Sequence, residues 1–216
     1  VLTSDQDAAR LASRHPGLAT AVVESGFDPA YFQPQIAARA HDELLFLGSL
    51  DYAPNIEGLH WFVREVLPAV AARHAGVRLR VVGRAPAPEV LSLAGPRVSI
   101  VGGVDDVRPE LARTSVLVVP LRIGGGTRVK IVEAMGCETP IVSTRIGAEG
   151  LAFRDPEHLA LADRAQDFAA RVCEVLGDPQ QAGLRAQQGR KLALERYTWS
   201  ELAEKLLAAW SRAVRG

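Results

Sequence analysis

Short apolar runs recur along the chain at residues 21–23, 44–47, 79–82, 98–101, 116–120, 140–143 and 158–161, with longer amphipathic stretches between them. Several are rich in Val and Ile and lack a polar residue at every second position. A strand of that kind has to be covered on both faces. Strands alternating with helical patterns build a parallel sheet with crossover helices, so the class imposed is α/β. The longest helix is expected over residues 55–75, with Asn55 as N-cap and a kink or interruption at Pro68. Further helices are expected over 5–13, 88–93, 107–113, 127–135, 165–176, 180–197 and 200–214. Gly48, Gly83 and Gly102–Gly103 each follow a strand, where the ligand crevice of such sheets lies.

Composition narrows the class of function. The 216 residues carry 25 Lys+Arg against 25 Asp+Glu, a balance that gives no basic footprint for nucleic acid. With 48% apolar residues the chain can bury an ordinary core, and its length fits one large domain, or one domain with part of another. No apolar run approaches the roughly 18–20 residues that span a bilayer. Cys137 and Cys173 make neither a disulfide framework nor a zinc spacing, which reads as a reducing, cytoplasmic setting. The first residue is Val1, and the sequence reads as part of a longer protein.

The chemistry concentrates between Val118 and Met135, where a strand runs into Gly124-Gly125-Gly126 and a helix is expected to begin near Thr127. Free N–H groups at a helix start, beside glycine backbone, suit an anion. The spacing is neither a Walker A loop nor G-x-G-x-x-G. On a helical wheel Gly126, Lys130 and Glu133 fall within about 60° of one another, while Ile131, Val132 and Met135 lie opposite as core. A diphosphate on the amides and a ribose on Glu133 would fit that face. The same pattern also fits packing glycines with an exposed Lys130/Glu133 pair. The two readings stay open on pattern alone.

Residues 124–147, with Glu133-Ala134-Met135-Gly136 and Thr139-Pro140-Ile141-Val142-Ser143-Thr144, resemble the signature region of the family 4 (group 1) glycosyltransferases. Val22-Val23-Glu24-Ser25-Gly26-Phe27-Asp28, Phe46-Leu47-Gly48, Val81-Val82-Gly83 and Tyr197-Thr198-Trp199 resemble other family segments in the same order. The resemblance implies a Rossmann-like parallel sheet with helices on both faces, the C-terminal half of a GT-B fold. It implies residues 1–18 as a remnant of the N-terminal acceptor domain or a linker, 19–198 as the donor-binding domain, and 199–216 as a helix packing back toward the missing half. Glu133 would hold the ribose of a UDP- or GDP-linked sugar, Gly124, Gly125, Gly126 and Thr127 its phosphates and sugar, and Gly102, Gly103 and Val104 its base. Transfer with retention to a sugar or lipid-linked acceptor is implied, in surface polysaccharide or glycoconjugate synthesis, with the full-length protein peripheral to a membrane. The donor is a substrate, and no cofactor is expected.

Two departures from the family pattern alter the site. The first motif Glu is Gly125, and the family's Arg after Gly48 is Ser49, with its following Lys also absent near Pro54-Asn55. Arg128 and Lys130 are expected to restore the lost charge, Arg128 only if the first helical turn leaves it free. No catalytic residue is assigned. A non-catalytic nucleotide-binding module is the alternative. His15, His41, His60, His74 and His158 have no metal-ligand spacing, and Asp105-Asp106 reads as a helix cap.

Overall fold

The computed structural model describes residues 1–35, 39–124 and 128–215, apart from the side chains of Gln6 and Arg215. Within these, strands β1 (Glu43–Leu47), β2 (Arg78–Val82), β3 (Val98–Gly102), β4 (Val116–Val119), β5 (Ile141–Ser143) and β6 (Ala160–Leu161) form one sheet, in the order β3-β2-β1-β4-β5-β6. Every neighbouring pair is parallel. The helices are α1 (Asp5–Arg14), α2 (Ala53–Trp61), α3 (Leu67–Ala71), α4 (Pro88–Leu91), α5 (Arg108–Arg113), α6 (Val129–Gly136), α7 (Ala165–Gly177), α8 (Pro179–Arg196) and α9 (Trp199–Arg215). Parallel strands in this order make the sheet Rossmann-like, as expected.

Successive side chains of a strand point to opposite faces, and β1 divides accordingly. Leu44 and Phe46 join a core built with α2, α3 and α7, whereas Leu45 and Leu47 join one built with α5, α6 and α8. All four residues of β4 are at most 1% exposed, which is why no polar alternation marks that run. The expected strand at residues 21–23 is instead a single parallel bridge from Val22 to Leu2. These residues are only partly buried, so the run lacks the second covered face a core strand has.

The helix expected over 55–75 runs over residues 53–71, and its interruption is a π turn, Phe62–Val66, between α2 and α3. Pro68 has no N–H and its ring crowds the carbonyl one turn back; the wider turn just upstream accommodates both. Asn55 is not the N-cap. Pro54 sits in the first turn, which carries the helix start back to Ala53 and turns Asn55 inward, 5% exposed.

Arg80 of β2 clamps Glu110 of α5 with two bonds, Nε to Oε2 at 2.6 Å and Nη2 to Oε1 at 2.9 Å. Glu110 is buried, so Glu110→Ala would strand the guanidinium. The expected loss is about 2 kcal/mol, read as a fall of about 4–8 °C in the thermal midpoint. An unchanged midpoint would mean that solvent already screens the pair.

Helix α9 is tied to the body by Lys205 on Glu24 at 2.9 Å and by buried Leu202 and Ala209. Its outward face leaves Trp199, Leu207 and Trp210 more than half exposed. Among the described residues no helix is long and apolar enough to cross a membrane.

Candidate functional site

The chain steps from β1 outward to β2 and β3, then returns to place β4 on the other side of β1. At such a reversal the loops leaving β1 and β4 diverge and open a crevice outside the carboxyl ends of the strands. A cavity of about 310 Å³ lies there. Leu47, Gly48 and Ser49 line it from the end of β1, Val82, Gly83 and Arg84 from the end of β2, and Gly103, Val104 and Val107 from the loop after β3. Lys130 and Glu133 enter from α6.

Ile131, Val132, Ala134 and Met135 anchor α6 in the core, each fully buried. The remaining face therefore has to look into the crevice, one turn separating Lys130 from Glu133. Lys130 Nζ donates to Leu47 O at 2.5 Å and to Asn55 Oδ1 at 3.4 Å, and lies 5.3 Å from the centre of the Phe46 ring. Asn55 is held in turn by its Nδ2 on Ser49 O at 2.8 Å. Burial, with the Arg128 charge adding to it, lowers the Lys130 ammonium to about 8. No carboxylate among the described residues pairs with it. Burial also pushes the Glu133 carboxyl above its usual range. A desolvated cation held only by neutral oxygens, and a desolvated carboxyl one turn away, both gain from a ligand that carries an anion and hydroxyl donors.

Close approach explains the glycines. A Cβ on Gly48 would lie 2.6 Å from Asn55 Nδ2 and 2.9 Å from Lys130 Nζ, so any side chain there would displace the ammonium. A Cβ on Gly83 would lie 1.7 Å from Gly48 O. The ends of β1 and β2 thus meet backbone to backbone at the rim of the cavity.

Gly48, Ser49, Val104, Lys130 and Glu133 therefore share one cavity. Arg128 does not join them. It is 6% exposed, and its Nη2 donates to Ile146 O at 2.7 Å and Gly124 O at 3.3 Å, with Glu149 at 3.8 Å. Arg128 is the N-cap residue just before α6, with non-helical backbone (φ −92°, ψ 44°), and these bonds hold it in the protein, so the expected compensation of charge by Arg128 is corrected. Gly124 is exposed outside the cavity, at φ 103°, against Pro54. Gly125, Gly126 and Thr127 lie outside the described residues. Asn55 and Arg84 were not among the expected site residues. Pro54 signals that Asn55 is inside the helix; for Arg84 the one signal is its place directly after the strand-end Gly83.

Side chains that could suggest other chemistry are structurally occupied. Asp106, one residue before the N-cap Val107 of α5, accepts from Arg108 N at 2.9 Å and from its guanidinium at 2.7 Å, a side-chain bond to the first turn rather than the expected cap. Buried Ser143 donates to backbone carbonyls of Val119 and Thr144. Cys137 is buried, its thiol pushed up to about 11. Among the described residues no three His, Cys, Asp or Glu side chains gather to hold a metal ion.

A model of the family described as glycosyl transferases group 1 matches residues 41–178, which include every described residue of this cavity. The chain belongs to the group 1 glycosyltransferases. A phosphatidyl-myo-inositol mannosyltransferase of Mycolicibacterium smegmatis is 30% identical over 152 residues, covering 67% of this chain and 39% of that protein. An uncharacterized 44.6 kDa protein in the cps region of Klebsiella pneumoniae is 27% identical over 138 residues, covering 60% of this chain and 36% of its own. The chain thus spans well under half the length of these two relatives. Among solved structures, Anabaena HepE in complex with UDP and glucose superposes with a TM-score of 0.77 at 18% identity, over 97% of this chain and 62% of HepE. The separately crystallised C-terminal domain of LpcC, a group 1 glycosyl transferase of Francisella tularensis, superposes with a TM-score of 0.67 at 17% identity, over 81% of this chain and all of that domain. The fold of this group 1 chain is accordingly that of one half of a GT-B enzyme.

Proposed function

We propose that this group 1 chain is the donor-binding half of a glycosyltransferase that moves a sugar, with retention, from a UDP- or GDP-linked donor to an acceptor held by the other half. One observation carries the reading: a buried ammonium, Lys130, without a carboxylate partner among the described residues, stands one helical turn from the half-buried carboxyl of Glu133 in the switch-point crevice. Lys130 donates to the diphosphate and stabilises it as it leaves, an electrostatic contribution to the transition state. Glu133 accepts from the ribose hydroxyls. The base lies beside Gly103 and Val104, whose backbone groups give little side-chain discrimination. The complex of HepE with UDP and glucose supports a nucleotide-sugar ligand.

Turnover then needs the other half, and the exposed Trp199, Leu207 and Trp210 of α9 are the face that docks on it. The mannosyltransferase relative supports a lipid-linked acceptor, hence surface polysaccharide or glycoconjugate synthesis on the cytoplasmic side, with the full-length protein peripheral to a membrane.

The test is a calorimetric titration of the 216-residue chain. Glu133→Gln keeps the shape and loses the charged acceptor, so UDP should bind about tenfold more weakly or worse, while inorganic pyrophosphate binds as before. Equal losses for UDP and pyrophosphate would remove Glu133 from the ribose.

A further inference from the structure

Arg84 is the second cation on the cavity, and nothing above gives it a task. Three strand ends fix its position. Its carbonyl accepts from Leu50 N at 2.9 Å, so the loop after β1 grips its backbone. A Cβ on Gly103, in the loop after β3, would lie 3.7 Å from its Cα and 3.8 Å from its Cβ. Ala85, at φ 52°, turns the chain sharply away just after it. The side chain is exposed but tethered, with Nε donating to Ser49 Oγ at 3.2 Å. An arginine held through Nε keeps Nη1 and Nη2 as a planar fork, the geometry that takes two oxygens of one phosphoryl group. Among the described residues that fork meets no carboxylate.

Charge arithmetic points the same way. Lys130 and Glu133 cancel, which leaves the cavity neutral toward a ligand whose diphosphate carries more than one negative charge. Arg84 makes the lining net positive from the end of β2, whereas Lys130 reaches the end of β1.

We infer that Arg84, braced by Ser49, holds the second phosphoryl group of a nucleoside diphosphate whose other phosphoryl group is held by Lys130, and so sets the preference of the site for diphosphates over monophosphates. The inference rests on the nucleotide reading of the cavity. A point charge alone would bind any phosphate; a point charge and a fork from two elements span two.

The experiment compares UDP with UMP by calorimetry on the 216-residue chain, as wild type, Arg84→Ala, Arg84→Lys and Ser49→Ala. Wild type should prefer UDP. Arg84→Ala should weaken UDP by about 10- to 100-fold and UMP by less than about threefold, collapsing the ratio. Arg84→Lys should recover part of the loss, because charge returns without the fork. Ser49→Ala should cost UDP a few-fold and leave UMP alone. Thermal midpoints should not move, since Arg84 is exposed. An unchanged UDP/UMP ratio in Arg84→Ala overturns the inference: if both affinities stay, Arg84 is idle, and if both fall together, it touches the nucleoside. If wild type binds neither ligand, the nucleotide reading falls and takes this inference with it.

Discussion

Lys130→Met is expected to weaken UDP binding by about 100-fold while leaving the empty chain at least as stable at neutral pH. Both effects follow from burial of one ammonium that has no carboxylate partner among the described residues. A charge-assisted bond to phosphate in a desolvated site is worth about 3 kcal/mol, hence about two orders of magnitude in affinity. Against this, the ammonium has fallen from its ordinary 10.5 to about 8, so holding it charged costs the fold up to about 3 kcal/mol. Its bonds to Leu47 O and Asn55 Oδ1 return about 1 kcal/mol each, and Met forgoes them. The balance for Met is near zero or a gain of about 1 kcal/mol.

The pH dependence carries the same signature. Between pH 8 and 10.5 the unfolded chain binds the Lys130 proton and the folded chain does not, so wild-type stability should rise with pH from about 8. The clean window closes near pH 9. There Cys137, with its thiol raised to about 11, begins to act in the opposite sense, because the folded chain keeps a proton that the unfolded one releases. UDP affinity should move the other way and decline as pH passes through about 8. A Lys130→Met variant should lose the rise in stability between pH 8 and 9, checked by thermal melts at half-unit steps. A rise of wild-type size in the variant would assign that titration elsewhere.

Gly83→Ala is the second large effect. Its Cβ would fall 1.7 Å from Gly48 O, a backbone atom with no rotamer to escape into, and 3.0 Å from Cγ of fully buried Leu50. The ends of β1 and β2 have to part, which breaks Gly48 N on Val82 O at 3.1 Å and Leu50 N on Arg84 O at 2.9 Å. Overpacking of this kind costs about 3 kcal/mol, a fall of about 6–12 °C in a chain of this size. Ser49 and Arg84 separate with the strand ends, so UDP binding should be lost beyond what the drop in stability explains. Gly95→Ala is the control, because its Cβ would meet nothing within 4 Å. If Gly83→Ala melts with the control, the backbone there yields more easily than its contacts imply.

The centre of the sheet was readable because β1, β4 and β5 are buried on both faces. Val116–Val119 shows this in four consecutive apolar residues, and the same logic misled at residues 21–23, whose apolar run has no second covered face. Helical periodicity resolved the faces of α6, separating Lys130 and Glu133 in the crevice from Ile131, Val132 and Met135 in the core; it could not place Arg128, which precedes the helix. Periodicity has no purchase where a strand simply ends. Arg84 belongs to the site because the ends of β1, β2 and β3 converge, a relation among residues about 20 to 55 positions apart in the chain. Asn55 was missed for a local reason: one proline moved the helix start by less than a turn, and a cap became a brace for Lys130.

The central claim is that the crevice between Lys130 and Glu133 binds a nucleoside diphosphate. Its most direct test is the calorimetric titration of UDP into the 216-residue chain and its Lys130→Met variant, at pH 7 where the ammonium is charged. Saturable one-to-one binding by wild type, with affinity at least about 100-fold weaker in the variant, is the expected result. Equal affinity in the two chains would contradict it.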